Sequence, residues 1–267
     1  MLSHKFFIED DAVREIKDFR SPWGIEIYEV VRVMERVPLF LEDHLKRFYH
    51  SAWLLHLEIP LKPEQIRQML RKLIEVNGAD KGNIRFSWAF RPAGKFQACF
   101  IPHHYPGMKE YLHGVDCGVL HAERSDPNAK VVQVEVRAAA DRMIRELGLY
   151  EILLVNRDGC ITEGSRSNLF FIREGVFYTS PDEEVLPGIT RQKAMELIRE
   201  WGWKLVTRSV VISDLENMEA AFLTGTSPKV LPIRRVDDLI FPIGRPEVDQ
   251  LGEAYNALIS GYIKKNR

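Results

Sequence analysis

Residues 151–200 read EILLVNRDGC ITEGSRSNLF FIREGVFYTS PDEEVLPGIT RQKAMELIRE. Apolar, β-branched and aromatic residues form strand patterns at about 150–156, 167–173 and 175–178, and a helix starts near Ile189 and ends before Gly202. Downstream, strand patterns return at about 205–211, 219–224 and 229–233, and a last helix covers about 247–264. Upstream, Val132, Val136, Ala139, Ala140, Met143 and Leu147 mark a helix closed by Gly148. Strands and helices mix without strict βαβ alternation. The expected fold class is therefore α+β or barrel-like sheets, not a doubly wound parallel sheet. No G-x-G-x-x-G follows a strand, which argues against a dinucleotide site.

The first third is also mixed. Ile25, Ile27, the run Tyr28–Val33 and the run Asn83–Phe90 alternate as strands do. Between them Pro63 opens a helix. Ile66, Met69, Leu70, Leu73 and Ile74 form its stripe, and Gly78 sits just past its end. Residues Pro102–His113 hold two prolines and a glycine without periodicity and read as linker. The expected organisation is a small α/β domain over 1–104, a linker over 105–112 and a larger domain over 113–267.

A chain of 267 residues allows one large domain or two modest ones, and 45% hydrophobic residues can build a core without staples. Lys plus Arg is 37 and Asp plus Glu is 38, a net charge of -1 that argues against a general nucleic-acid surface. Cys99, Cys117 and Cys160 are too few and too far apart for a disulfide framework or zinc knuckle, so a reducing, cytoplasmic setting is expected. The first residues show no apolar signal region, and no apolar run approaches the roughly 20 residues of a membrane helix.

The chain lacks G-x-S-x-G, H-E-x-x-H, a P-loop and C-x-x-C. His103 and His104 are adjacent and point apart on any regular element, so metal catalysis has little support and no metal ligand is assigned. Four stretches can carry chemistry. Leu186-Pro187-Gly188-Ile189-Thr190-Arg191 opens a helix whose exposed amides can hold an anion, or it is a plain capped helix. Thr224-Gly225-Thr226-Ser227 ends a strand in N–H and O–H donors suited to an anion, or is a polar turn. Arg47, beside His44, offers a planar fork to a phosphate, or lies on the surface. Glu163, with Ser165, Ser167 and Asn168, places a carboxylate between two strand patterns, or makes a solvated turn.

Taken in order, Lys130, Glu163-Gly164-Ser165-x-Ser167-Asn168, Leu186-x-Gly188-Ile189-Thr190-Arg191 and Thr224-Gly225-Thr226 resemble the fold type IV pyridoxal-phosphate (PLP) enzymes. These comprise D-amino-acid aminotransferases, branched-chain aminotransferases and aminodeoxychorismate lyases. Tyr28-Glu29-Val30-Val31-x-Val33 and His44-x-x-Arg47-x-x-x-Ser51-Ala52 extend the resemblance over about 20–235. It implies two domains, a small α/β one and a larger barrel-like one that binds PLP.

The resemblance makes Lys130 the catalytic amine that forms the internal aldimine and shuttles the Cα proton. It places Glu163 beside the pyridine nitrogen. Arg47, Ile189, Thr190, Gly225 and Thr226 match the phosphate cup, Ser167, Leu186 and Gly188 count with them among the cofactor-binding residues, and Asn168, also in that set, supports the cofactor strand. Tyr28 lines the substrate pocket, and Arg85 is placed to grip a substrate carboxylate. Departures stand at Gln133, where the family commonly has Asn, and at Arg91-Pro92-Ala93-Gly94-Lys95, which lacks the histidine of an Arg-x-His trap. The implied function is transamination between an amino acid and a 2-oxo acid. The alternatives are a lyase eliminating pyruvate and a non-catalytic PLP-binding relative. A homodimer with no nucleic-acid or membrane partner is expected.

Overall fold

These patterns build sixteen strands and six α-helices among the residues that the computed structural model describes, 4–22, 24–90, 94–124, 127–131 and 134–267. Val132, Gln133 and Arg91–Ala93, on which parts of the sequence reading fall, lie outside the described residues. The chain divides into two units. The first spans Met1–His104, Ala129–Val132 and Ile259–Arg267, and the second spans Tyr105–Asn128 and Gln133–Leu258.

In the first unit the strands are β1 (Phe6–Glu9), β2 (Ala12–Glu15), β3 (Glu26–Met34), β4 (Val37–Pro38), β5 (Lys81–Ala89) and β6 (Lys95–Ile101). They form one sheet in the order β2-β1-β6-β5-β3-β4, its pairings antiparallel. Helices α1 (Leu41–Leu54) and α2 (Pro63–Asn77) supply the stripes that bury one face. Helix α2 follows its sequence signals: Pro63 at the start, Ile66, Met69, Leu70, Leu73 and Ile74 buried, and Gly78 left-handed at φ +57°. Period-two alternation sends Ile27, Val31 and Val33 of β3 to the helix side with Ile84 and Phe86 of β5. The opposite row carries Glu26, Tyr28, Arg85 and Ser87.

The second unit contains α3 (Met108–His113), β7 (Val115–His121), α4 (Val134–Leu147), β8 (Glu151–Val155), β9 (Cys160–Gly164), β10 (Asn168–Arg173) and β11 (Val176–Thr179). There follow α5 (Ile189–Glu200), β12 (Lys204–Thr207), β13 (Val210–Val211), β14 (Ala220–Gly225), β15 (Lys229–Val236) and β16 (Leu239–Ile240), and then α6 (Pro246–Asn266), whose last residues belong to the first unit. The sheet runs β12-β11-β10-β14-β15-β7-β8-β9-β13, with β16 on β15. Its two edge strands, β12 and β13, are separated in the chain only by Arg208 and Ser209. Two residues bridge on the order of 10 Å, so the sheet curls until the end of one edge strand lies near the start of the other, the barrel-like form expected. Register shifts at Ile233/Arg235 and Leu153/Val155 mark where its strands bend.

Three local readings are corrected. The hairpin β1–β2 is absent from the sequence reading, because its strands are short and flanked by charges. The stretch that reads as irregular linker contains α3, whose Gly107 N–H donates to Glu110 at 2.9 Å and sets the first turn. The single strand pattern at 205–211 is two strands, because β12 pairs with β11 and β13 pairs with β9 at opposite edges.

Candidate active site

Tyr28, Arg47, Arg85 and Lys130 lie in the first unit. The helix-facing row of β3 is Ile27, Glu29, Val31 and Val33, all fully buried, so Glu29 is a carboxylate in an apolar row. Its partners come from α1, whose buried stripe includes His44, Arg47 and Ser51 at positions i, i+3 and i+7. Arg47 donates through Nε to Glu29 Oε1 and through Nη2 to Oε2, both at 2.7 Å. The Nδ1 of His44 is 2.7 Å from Oε2. Burial alone would raise the Glu29 pKa, but the Arg47 guanidinium and then the His44 bond outweigh it and hold the carboxyl at about 2. Burial lowers the His44 pKa more than Glu29 raises it. The imidazole is therefore neutral at pH 7, and we assign its proton to Nδ1, donating to Glu29.

Lys130 lies between regular elements yet is fixed at both backbone groups. Its N–H donates to Ser51 Oγ at 3.1 Å, and its carbonyl accepts from the Tyr28 N–H at 3.1 Å. Val131 bridges to Ile27, so this segment runs along the edge of β3. The Lys130 Nζ stands 5.0 Å from the centre of the Tyr28 ring, and the Arg85 guanidinium 4.8 Å from the same centre. Arg85 is already paired with Glu26, through Nη1–Oε1 at 2.9 Å and Nη2–Oε2 at 2.8 Å.

The second unit holds Glu163, Ser167, Asn168, Leu186, Gly188, Ile189, Thr190, Gly225 and Thr226. Glu163 is buried near the end of β9. Its Oε1 accepts from Arg124 Nη1 at 2.9 Å, and its Oε2 accepts from the Leu186 N–H at 3.1 Å and Asn168 Nδ2 at 3.5 Å. Asn168 Nδ2 also donates to the Leu186 carbonyl at 2.9 Å. A methyl group added at Gly188 would lie 2.0 Å from Asn168 Oδ1, so only glycine admits this approach. Helix α5 then begins with Gly188 as N-cap, no side-chain cap and no acid in its first turn, leaving its first amides able to bind an anion. Thr190 Oγ1 is 3.1 Å from the Tyr255 hydroxyl. Across the ladder Asn168 pairs with Thr224, whose hydroxyl is buried and has no hydrogen-bond partner. A methyl at Gly225 would press Pro228 at 3.1 Å, and Thr226 follows.

Three residues outside the sequence-derived site emerge as supports. Glu151 accepts from the Ser165 hydroxyl at 2.6 Å, the Ser167 hydroxyl at 2.8 Å and the Arg166 N–H at 3.1 Å, pinning the turn between Glu163 and Asn168. The Ser167 hydroxyl is thus directed at Glu151. Arg191 is fully buried and bonds Thr179 Oγ1 at 3.2 Å, Asp182 at 2.5 Å and the Ser180 carbonyl at 2.6 Å, locking α5 to the end of β11. Arg124 ties β9 through Glu163. The sequence signal for Glu151 was only a charge at the head of an apolar strand, which is ordinary for a strand end.

The donors and acceptors suit PLP on two observations. The buried Thr224 hydroxyl, near the end of β14, is an anion donor lacking an acceptor, and α5 starts without a side-chain cap soon after Leu186, whose N–H donates to Glu163, itself a buried acceptor for a ring N–H. A branched-chain-amino-acid aminotransferase of Pseudomonas aeruginosa is 27% identical over 274 residues, covering 94% of this chain and 89% of that protein. A D-alanine aminotransferase of Bacillus licheniformis is 25% identical over 245 residues, covering 87% and 86%. The crystal structure of a T.th. branched-chain amino acid aminotransferase with pyridoxamine 5'-phosphate has the same fold, at TM-score 0.86 and 24% identity over 98% of this chain and 96% of that one. The family model for amino-transferase class IV matches residues 26–236, most of both units, and this chain belongs to that family.

Proposed function

We propose that this protein transfers the amino group of an amino acid to a 2-oxo acid with PLP as cofactor, and that Lys130 is the amine to which the cofactor attaches. The observation that carries this reading is the fixing of Lys130 itself. It is a lysine outside helix and strand, bonded at both backbone groups by Tyr28 and Ser51, with its amine against the Tyr28 ring. When bound, PLP supplies an aldehyde for amines and a ring that accepts electron density from the substrate Cα.

The remaining chemistry belongs to the chain. In the first half-reaction Lys130 Nζ would take the proton from the substrate Cα and pass it to the carbon that has accepted the amino group, and in the second it would carry a proton the opposite way, to the Cα of the 2-oxo acid. Glu163 keeps a ring N–H protonated by accepting from it, steadied by Arg124, Leu186 and Asn168. The amides of Ile189 and Thr190, with Gly225, Thr226 and the Thr224 hydroxyl, bind the phosphate dianion. Arg47, its charge balanced by Glu29, holds a fixed guanidinium rather than a net positive charge. Ser167 and Gly188 set the turns that carry Asn168 and α5. Tyr28 and Arg85 face the substrate.

Both relatives named above are aminotransferases, which favours transamination over elimination of pyruvate. Among the described residues no helix is long and apolar enough to cross a membrane. We place the working form as a cytoplasmic homodimer, tested by sedimentation. The functional test is a panel of D- and L-amino acids offered without acceptor. An aminotransferase converts its cofactor absorbance to the pyridoxamine form and stops, and Lys130→Ala lowers turnover by at least about 10³-fold. Catalytic pyruvate release, or full turnover in Lys130→Ala, contradicts the reading.

A further inference from the structure

The face of the first unit's sheet away from its helices places Glu26, Tyr28, Arg85 and Ser87 together. The two outer nitrogens of Arg85 meet the two oxygens of Glu26 at 2.9 and 2.8 Å, and Nη1 also donates to Ser87 Oγ at 3.2 Å. Glu26 is 8% exposed, so this pair is largely withdrawn from water, unlike a loose surface bridge. The guanidinium packs on the same Tyr28 ring that Lys130 Nζ approaches. An arginine expected to grip a substrate carboxylate therefore already holds one, and it is the chain's own.

We propose that Glu26 is a specificity-determining residue. By filling the Arg85 fork it makes the wall beside Tyr28 and Lys130 neutral, and so favours amino and 2-oxo acids with uncharged side chains over those with a second carboxylate. This rests on the reading of Lys130 as the reacting amine. A second substrate carboxylate would have to displace Glu26, leaving a buried carboxylate unpaired beside another anion. An uncharged side chain disturbs nothing.

The test uses the PLP-loaded enzyme and two non-reacting five-carbon acids, glutarate and pentanoate, titrated by calorimetry. Wild type should bind pentanoate more tightly. Glu26→Gln, which keeps shape and removes the charge, should tighten glutarate about tenfold and move pentanoate by less than about twofold. Adding Arg85→Gln should abolish the gain, and Glu26→Asp should give a smaller one. The ratio of the two acids guards against a folding defect, which would weaken both alike. Equal binding of both acids by wild type, an equal shift of both in Glu26→Gln, or a gain that survives Arg85→Gln would overturn the proposal. Because neither acid reacts, this ratio reads the Glu26–Arg85 pair alone. Turnover of a neutral amino acid by wild type, lost in Lys130→Ala, reads the functional proposal separately.

Discussion

Replacing Glu29 by Gln keeps the side chain's shape and deletes one charge from a fully buried cluster. The structure sets the size of the effect. Glu29 accepts two bonds from Arg47 and one from His44, each at 2.7 Å, and its pKa falls from 4.5 to about 2. That depression corresponds to roughly 3 kcal/mol favouring the ionised form in the folded state. Gln approximates the protonated acid, and it also turns an amide N–H₂ toward donors, so the loss at pH 7 should be on the order of 3 kcal/mol. That is within the range for breaking a buried pair. The sign follows from the depressed folded pKa. The contribution is complete above about pH 4.5 and is lost as pH falls toward 2. Wild type should therefore lose roughly 2 kcal/mol from this group between about pH 6 and pH 3, a loss that Glu29→Gln lacks. His44, whose pKa is lowered by burial, adds a separate loss of stability beginning near its unfolded value of 6.5 in both proteins. Urea unfolding of both proteins across that range measures the difference. A gap below about 1 kcal/mol at pH 7, or one that does not narrow on acidification, would refute the reasoning.

Other substitutions probe the second unit. Gly188→Ala places a methyl 2.0 Å from Asn168 Oδ1, and should weaken PLP binding by about tenfold or more in fluorescence titration. Thr224→Val removes a buried hydroxyl without a partner. It should stabilise the cofactor-free protein by about 1 kcal/mol in urea unfolding, while PLP affinity falls several-fold. Glu151→Ala strips the Ser165, Ser167 and Arg166 bonds from one turn, and should cost on the order of 2–4 kcal/mol in unfolding free energy.

Local signals were readable where chemistry and neighbours in sequence agree. Pro63 and Gly78 bracket α2 because one lacks the N–H that a first turn does not use and the other tolerates a left-handed φ. The turn and helix start carrying Glu163, Asn168 and Gly188 showed as polar residues entering apolar patterns. Lys130 was legible only through family resemblance, since neither periodicity nor a cap marks it. The pairings Glu29–Arg47 and Glu26–Arg85 join residues 18 and 59 positions apart. Their only local trace is a carboxylate in the buried row of a strand and a polar residue repeated on a helix stripe. The return of Ile259–Arg267 to the first unit rests on contacts such as Tyr262 to Glu42 at 2.6 Å, 220 positions apart, which no local pattern encodes.

Where vitamin B6 becomes covalently fixed is the most direct test of the role given to Lys130. Purified protein supplied with PLP, reduced with borohydride and digested, should yield one phosphopyridoxyl peptide with the label on Lys130. A label on any other lysine, or no labelled peptide from protein that has bound PLP, would contradict it.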